Sequence, residues 1–362
     1  MRIRFYQVDC GDAASILYEG SDGKDNYVFV DAGYERTYRE ILADEIKIID
    51  ATGATIDLWL ISHIHDDHIG GAVSYAKAIE RCDARDIVSN WWYNHPYKAI
   101  GDTKAPKSTF NISEAKSFAQ SEKLTSYLRS AGRLPKFDIV QAIDPKYHND
   151  LKINILSPTK DAVNKLREKY ENSSFLDRDY HEMTAISEPK AAKMNDYCQT
   201  IESFDLEAFA EDVSIENESS IAILIEHSGI RILWLADSLP SIITTALRNL
   251  GYSEGNPLQV DLVKVSHHGS RGNNSSELYD MVRCDKYIFC GSGINKHQLP
   301  TKECMVRILK NKYRDVRDRY EFIFTHDNPS LRGIFDVDEI DIVKNLNFTM
   351  TFSASKYVDL HF

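Results

Sequence analysis

The chain has 362 residues, 43% of them apolar, and a net charge of −12. It is long enough to bury a large core and too apolar for a disordered polymer, while its charge opposes a broad electrostatic grip on nucleic acid. No uninterrupted apolar run is long enough to span a bilayer, so no membrane role is expected. The six cysteines are scattered without a C-x-x-C pair, which fits reduced thiols rather than a disulfide framework, and a cytoplasmic location.

The N-terminal stretch MRIRFYQV alternates like a strand and lacks the apolar core of a signal peptide. Strands are expected at Arg2–Val8, Ala14–Tyr18 and Tyr27–Val30. The apolar run Leu58–Ile61 reads as a buried strand, and Gly70-Gly71 leads into a helix from Ala72 to Ile79. A strand near Ile87–Trp91 follows, then a helix over Asn111–Gly132, with Ser113 as its cap and Gly132 as its stop. Short strands are expected at Phe137–Gln141 and Leu151–Leu156.

Residues 160–216 read as an acidic, mainly helical insertion: from Asp161 to Glu218 there are 15 acidic and 6 basic side chains. Two apolar strands come next, Ile221–Ile225 and Ile230–Leu235. Helix Ser241–Asn249, strand Val260–Val265, helix Ser275–Val282 and strand Lys286–Cys290 continue the pattern. A basic helix is expected within 301–320, either an ordinary solvated helix or a nucleic-acid contact. The tail, 320–362, alternates and is expected to add strands as a C-terminal extension. The whole reads as one α/β domain, 1–362, of two sheets sandwiched by helices.

The chemistry concentrates directly after the strand Leu58–Ile61. His63, His65, Asp67 and His68 form H-x-H-x-D-H, and imidazole is the commonest protein metal ligand. A tight turn at a strand end aims such ligands to two sides, toward a dinuclear centre. Asp237, at the end of ILWLAD, is placed to bridge two ions. His267 and His268 end another buried strand, with Gly269 relieving the turn. Asp31, closing VFVDAG, is read as orienting ligand loops from behind. Trp91, Trp92, Tyr93 and His95 form an aromatic cluster suited either to core packing or to stacking a base.

The order of these segments resembles the metallo-β-lactamase superfamily. VDCGDAASIL, VFVDAG, SHIHDDHIGG, NESSIAIL, LWLAD, VKVSHHGS and SGINKHQLP together are more narrowly similar to the hydrolase domain of ComEC-type DNA-uptake proteins and their stand-alone relatives. The likeness runs from about Arg2 to Leu309, interrupted by the acidic insertion. It implies an αββα four-layer sandwich with two divalent metal ions, zinc or manganese, at one edge. Where many members place a third histidine for the first metal, this chain has Asn217. That amide shifts the preference from zinc toward manganese.

The resemblance implies His63, His65, Asn217 and Asp237 at the first metal and Asp67, His68, His267 and Asp237 at the second. His268 and His297 are left to donate a proton or bind the scissile phosphate, with Asp67 also in the catalytic set. Ser270, Arg271 and Lys296 are candidate phosphate-binding residues. The expected activity is metal-dependent hydrolysis, as a nuclease or other phosphodiesterase. Two alternatives stay open: a hydrolase of a small phosphoester, nucleotide or lactone, and a conditionally active subunit of a bacterial antiviral defence assembly. The acidic insertion is a candidate lid or protein-docking surface.

Overall fold

The computed structural model describes residues 1–96, 112–171, 195–295 and 297–362. The strands of the first half are β1 (Arg2–Tyr6), β2 (Ala13–Glu19), β3 (Asp25–Asp31), β4 (Ile56–Ile61) and β5 (Trp91–Tyr93). Next come β6 (Lys146–His148), β7 (Leu151–Ser157), β8 (Ala222–His227), β9 (Ile230–Trp234), β10 (Leu258–Gln259) and β11 (Leu262–Lys264). The last are β12 (Val282–Arg283), β13 (Lys286–Phe289), β14 (Tyr320–Phe324), β15 (Phe348–Phe352) and β16 (Tyr357–His361). The main helices are α1 (Ala43–Ala51), α2 (Asp66–Glu80), α3 (Ile112–Ser130), α4 (Lys160–Glu171), α5 (Pro240–Asn249) and α6 (Lys302–Leu309).

One sheet runs β16-β1-β2-β3-β4-β5 and the other β15-β14-β13-β11-β9-β8-β7-β6. The alternation within each strand divides its side chains between two cores. In β4, Leu58 and Leu60 join Ile3, Phe5, Ile223, Ile225, Ile232 and Trp234 in a cluster between the sheets. Ile56, Trp59 and Ile61 of the same strand face the opposite way, onto α1, α2 and α3 through Ile46, Val73 and Leu124. On the far side, Leu233 of β9 and Val263 of β11 pack with Ile243 and Leu247 of α5 and Met305 of α6. Three apolar layers therefore separate four layers of structure, the αββα sandwich. Phe5 and Trp234 stack across the central layer with ring centroids 5.1 Å apart.

β3, β4 and β5 run parallel, as do β9, β11, β13, β14 and β15. Parallel strands deliver all their C-terminal ends to one edge, where open α/β sheets place their ligands. Helix α2 sits tight against the end of β3: a Cβ on Gly71 would lie 2.1 Å from the Ala32 carbonyl oxygen.

Several expectations change. Residues 137–141 form no strand; the Asn94 side chain instead clamps Ile139, accepting from its N–H at 2.8 Å and donating to its C=O at 2.7 Å. The strand near Ile87 begins only at Trp91, Val88 making an isolated bridge to Ile56. Within 160–216, α4 is helical, but 195–214 contains two 3-10 turns and irregular chain. Its polar groups serve neighbours: the Asp196 carboxylate accepts from the N–H groups of Lys302 and Glu303 and so caps α6. His181 and the rest of 172–194 lie outside the described residues, as do the expected helix start at Asn111 and the Ser113 side chain.

The basic helix ends at Leu309, and its cations are internal. Lys302 is buried on Asp338, and Arg307 is buried against Glu303 and the carbonyls of Arg271, Asn274 and Ala208. Arg314 donates to the carbonyls of Leu309, Leu346 and Asn347. In the tail, β14 and β15 extend the second sheet while β16 crosses to pair with β1 of the first.

Candidate metal centre

Five chain segments converge where the two sheets meet. After β4, His63 leaves the strand, His65 adopts extended angles as the N-cap of α2, and Asp67 and His68 occupy its first turn. After β9, Ala236 turns at φ 45° and delivers Asp237. After β11, His267 and His268 both take positive φ, at 44° and 53°. Non-glycine residues in that region are uncommon and persist only where the surroundings enforce them. Here the turn aims two consecutive imidazoles into the seam, their ring planes 75° apart. The segments Cys10–Asp12 and Asn217–Ser220 close the remaining sides.

Asp237 Oδ2 is the focus. The Nε2 atoms of His63, His68, His267 and His268 lie 3.8, 3.4, 3.7 and 3.7 Å from it. His65 Nδ1 is 3.0 Å from His63 Nε2, so His63, His65 and Asp237 form one candidate ligand group. Asp67 Oδ2 lies 3.4 Å from His268 Nε2 and 3.8 Å from His68 Nε2. His68, His268 and Asp237 form the second group.

Three imidazoles are held from behind, and a fourth has a carboxylate close by. Asp31 accepts from the Ser62 N–H at 2.7 Å, from its hydroxyl at 2.8 Å and from His68 Nδ1 at 2.9 Å. This fixes His68 with its Nε2 toward the seam. The hydroxyls of Ser62 and Ser220 lie 3.0 and 3.3 Å from His63 Nδ1. Asp12, ion-paired with the buried Lys264, brings Oδ1 to 3.3 Å from His268 Nδ1, close but not aligned as a hydrogen bond. His267 Nδ1 is 2.8 Å from Asn273 Oδ1 and 3.6 Å from Asp212.

The donor set fits divalent cations. His68 Nε2, His268 Nε2, Asp237 Oδ1 and Asn217 Oδ1 are buried without a hydrogen-bond partner, an arrangement that costs free energy unless a ligand completes it. Electrostatics agrees. Burial opposes a charge at His68, yet Asp237, Asp31 and Asp67 outweigh it and raise the group well above the usual histidine range. At His268, burial is likewise overcome by Asp237 and Asp12, and the group is pushed up to about 9. Burial and the neighbouring imidazoles hold His63 well below that range. Burial would raise Asp237, but His68, His268 and His267 hold it well below the carboxylate range.

The structure thus brings His63, His65, Asp67, His68, Asp237, His267 and His268 together, with Asn217 at the rim. It exchanges the two neighbours at 267 and 268. His268, not His267, stands beside Asp67 and His68; His267 turns toward Asn217, whose side-chain amide lies 3.3 Å from its Nδ1. The cause is the left-handed turn, which points consecutive side chains in different directions. His297 is exposed, outside the buried cluster, and Arg271 is exposed with its guanidinium 3.7 Å from Glu303. Ser270 is half-buried, its N–H bonded to the His267 carbonyl. Lys296 lies outside the described residues.

Sequence reasoning missed Asp12, Lys264, Asp212, Asn273 and Cys10. Asp12 had a signal, since it lies in the G-D-A of the opening motif; the others touch the site only through folding. The aromatic cluster is core: Trp91 and Tyr93 are buried, and Trp91 stacks on Trp59 with centroids 5.1 Å apart.

Residues 8–81, which contain Asp12, Asp31 and the whole H-x-H-x-D-H motif, match the family model for the metallo-beta-lactamase superfamily. The match is confined to this segment. The αββα sandwich around it is the metallo-β-lactamase fold. No curated protein matches the sequence. Among solved structures the chain is similar to a CmlA beta-hydroxylase mutant, at 13% identity and a TM-score of 0.41, over 99% of this chain and 54% of that one. It thus spans about half of that protein. It is also similar to the metallo-beta-lactamase fold protein YhfI from Bacillus subtilis, at 11% identity, 99% coverage of both chains and a TM-score of 0.39. Among the described residues no helix is long and apolar enough to cross a membrane.

Proposed function

We propose that this chain is a metal-dependent hydrolase that cleaves a phosphodiester. The observation that carries the reading is the set of four imidazole Nε2 atoms around Asp237 Oδ2. His63, His65 and Asp237 would hold one divalent cation, and the buried, unpartnered Asn217 Oδ1 is a candidate further donor. Asp67, His68, His268 and Asp237 would hold another. Bound there, the cations supply Lewis-acid activation of water and of the phosphoryl oxygens.

The chain's own residues do the rest. Asp31, Ser62, Ser220 and the Asp12–Lys264 pair fix the imidazole orientations, so no reorganisation is needed when substrate arrives. His267 is the proton donor. Burial disfavours its charge, but Asp237, Asp212 and Asn273 more than offset this and raise it above the usual range. Anchored at Nδ1, it holds a proton at Nε2 and passes it to the leaving oxygen.

The likeness of the opening motif and of VKVSHHGS to DNA-uptake hydrolases supports a nucleic-acid or nucleotide substrate. Two observations favour a short one. Lys302, Arg307 and Arg314 of the basic stretch are engaged by internal partners, and the net charge is −12. Labelled single- and double-stranded DNA and RNA, together with bis-p-nitrophenyl phosphate, offered with Mn²⁺ or Zn²⁺ beside Asp237→Ala, test this. Hydrolysis of the small diester or of short oligonucleotides, absent in the variant, is expected. Two bound cations with every phosphodiester left intact would sink the reading and turn attention to lactones or to an absent activating partner.

A further inference from the structure

Cys10 is buried at the wall of this seam, and no step above uses it. Its Sγ, a carboxylate oxygen of Asp67 and a ring nitrogen of His268 all lie within 4.8 Å of one another. His268 is fully buried, and its Nε2 has no hydrogen-bond partner. The contact is built into the backbone. A Cβ on Gly11 would sit 2.5 Å from the Asp67 carbonyl oxygen, so only glycine lets this loop press against α2. The Asp12 N–H donates to that same oxygen at 3.2 Å. Cys10 is also fixed from two other sides, by a β-bridge to Gly291 and by the Tyr34 hydroxyl, which donates to its carbonyl at 2.9 Å.

Ligands around a tetrahedral zinc, with Zn–S about 2.3 Å and Zn–N about 2.0–2.1 Å, stand roughly 3.3–3.8 Å apart. The trio is therefore within a side-chain rotation of a ligand set. We propose that Cys10 is a thiolate ligand of the cation held by Asp67 and His268, a fifth protein donor beside His68 and the shared Asp237, and that it makes this position selective for zinc over manganese. On binding, the thiol gives its proton to solvent and the sulfur lone pair goes to the cation. A soft sulfur donor reverses, at this position, the preference for manganese that the oxygen donor of Asn217 implies at the other.

The inference rests on the proposed metal-dependent hydrolase, and the two fail separately. Full-length protein is loaded with Co²⁺ and its near-ultraviolet absorption recorded beside Cys10→Ser, Cys10→Ala and a Cys82→Ser, Cys198→Ser control. A thiolate-to-cobalt charge-transfer band in the unaltered protein and the control, lost in both Cys10 variants, is expected. The ratio of zinc to manganese affinity should fall in the same variants. Bound cobalt without that band in the unaltered protein, or a band that survives both Cys10 substitutions, overturns the role of Cys10 and leaves the hydrolase reading intact. No cobalt bound at all would overturn both. If Cys10→Ser does not fold, Cys10→Ala and the unaltered protein still decide the matter.

Discussion

At the scale of single residues, charge and orientation decide the chemistry of the seam. Asp31 spends both its oxygens on Ser62 and His68. Asp31→Asn keeps the size but presents an amide to His68, and metal affinity should fall about 10–100-fold. Competition with a chromogenic chelator reads this, and unchanged affinity would refute it. His268 offers a pH test. Without metal it is pushed up to about 9, so below that pH a proton holds the Nε2 that a cation needs. Proton competition is therefore strongest at low pH and weakens as pH rises, and affinity should rise with pH by about tenfold per unit per proton released. Calorimetry at neutral pH in buffers of different ionisation enthalpy should show proton release; heats independent of buffer would contradict it. The residues of H-x-H-x-D-H and Asp237 stood out in the sequence because each follows an apolar strand. Lys264 did not, since inside DLVKVS it looks like an ordinary alternating strand residue, and only its pairing with Asp12 shows why a cation is tolerated there.

At the scale of elements, close packing places the candidate ligands. Helix α2 carries Asp67 and His68 and touches β3 through Gly71. Gly71→Ala forces a methyl against the Ala32 carbonyl and should cost about 1–3 kcal/mol, as overpacking does. Because His68 rides on the same helix, metal content should fall with it. Urea unfolding and metal analysis of the variant test both, and a variant as stable as the parent would show that α2 moves freely. Periodicity located most strands but erred where side chains replace ladders. Phe137–Gln141 has a strand-like pattern, yet the Ile139 backbone is satisfied by the Asn94 side chain. The segment following Thr301 has a basic composition, yet its helix stops at Leu309, and Arg307 and Arg314 serve carbonyls inside the fold. Composition counts charges without saying which are already paired.

At the scale of the whole molecule, the net charge of −12 opposes a grip on a long phosphate backbone. Any DNA or RNA binding should therefore show a shallow salt dependence, with a log–log slope no steeper than about −3. Filter binding at several salt concentrations measures it, and a steep slope would restore a polymer substrate. The sequence by itself determined the two-sheet α/β class and the strand-end cluster, because burial on both faces and a metal-ligand spacing are written in local order. Only the tertiary structure decided that β16 returns to β1, that His268 rather than His267 faces Asp67, and that Cys10 and Asp12 close the site. Those outcomes depend on segments far apart in the chain, on the hand of a single turn and on which charges meet once water is excluded, and none of these leaves a periodic trace in the sequence.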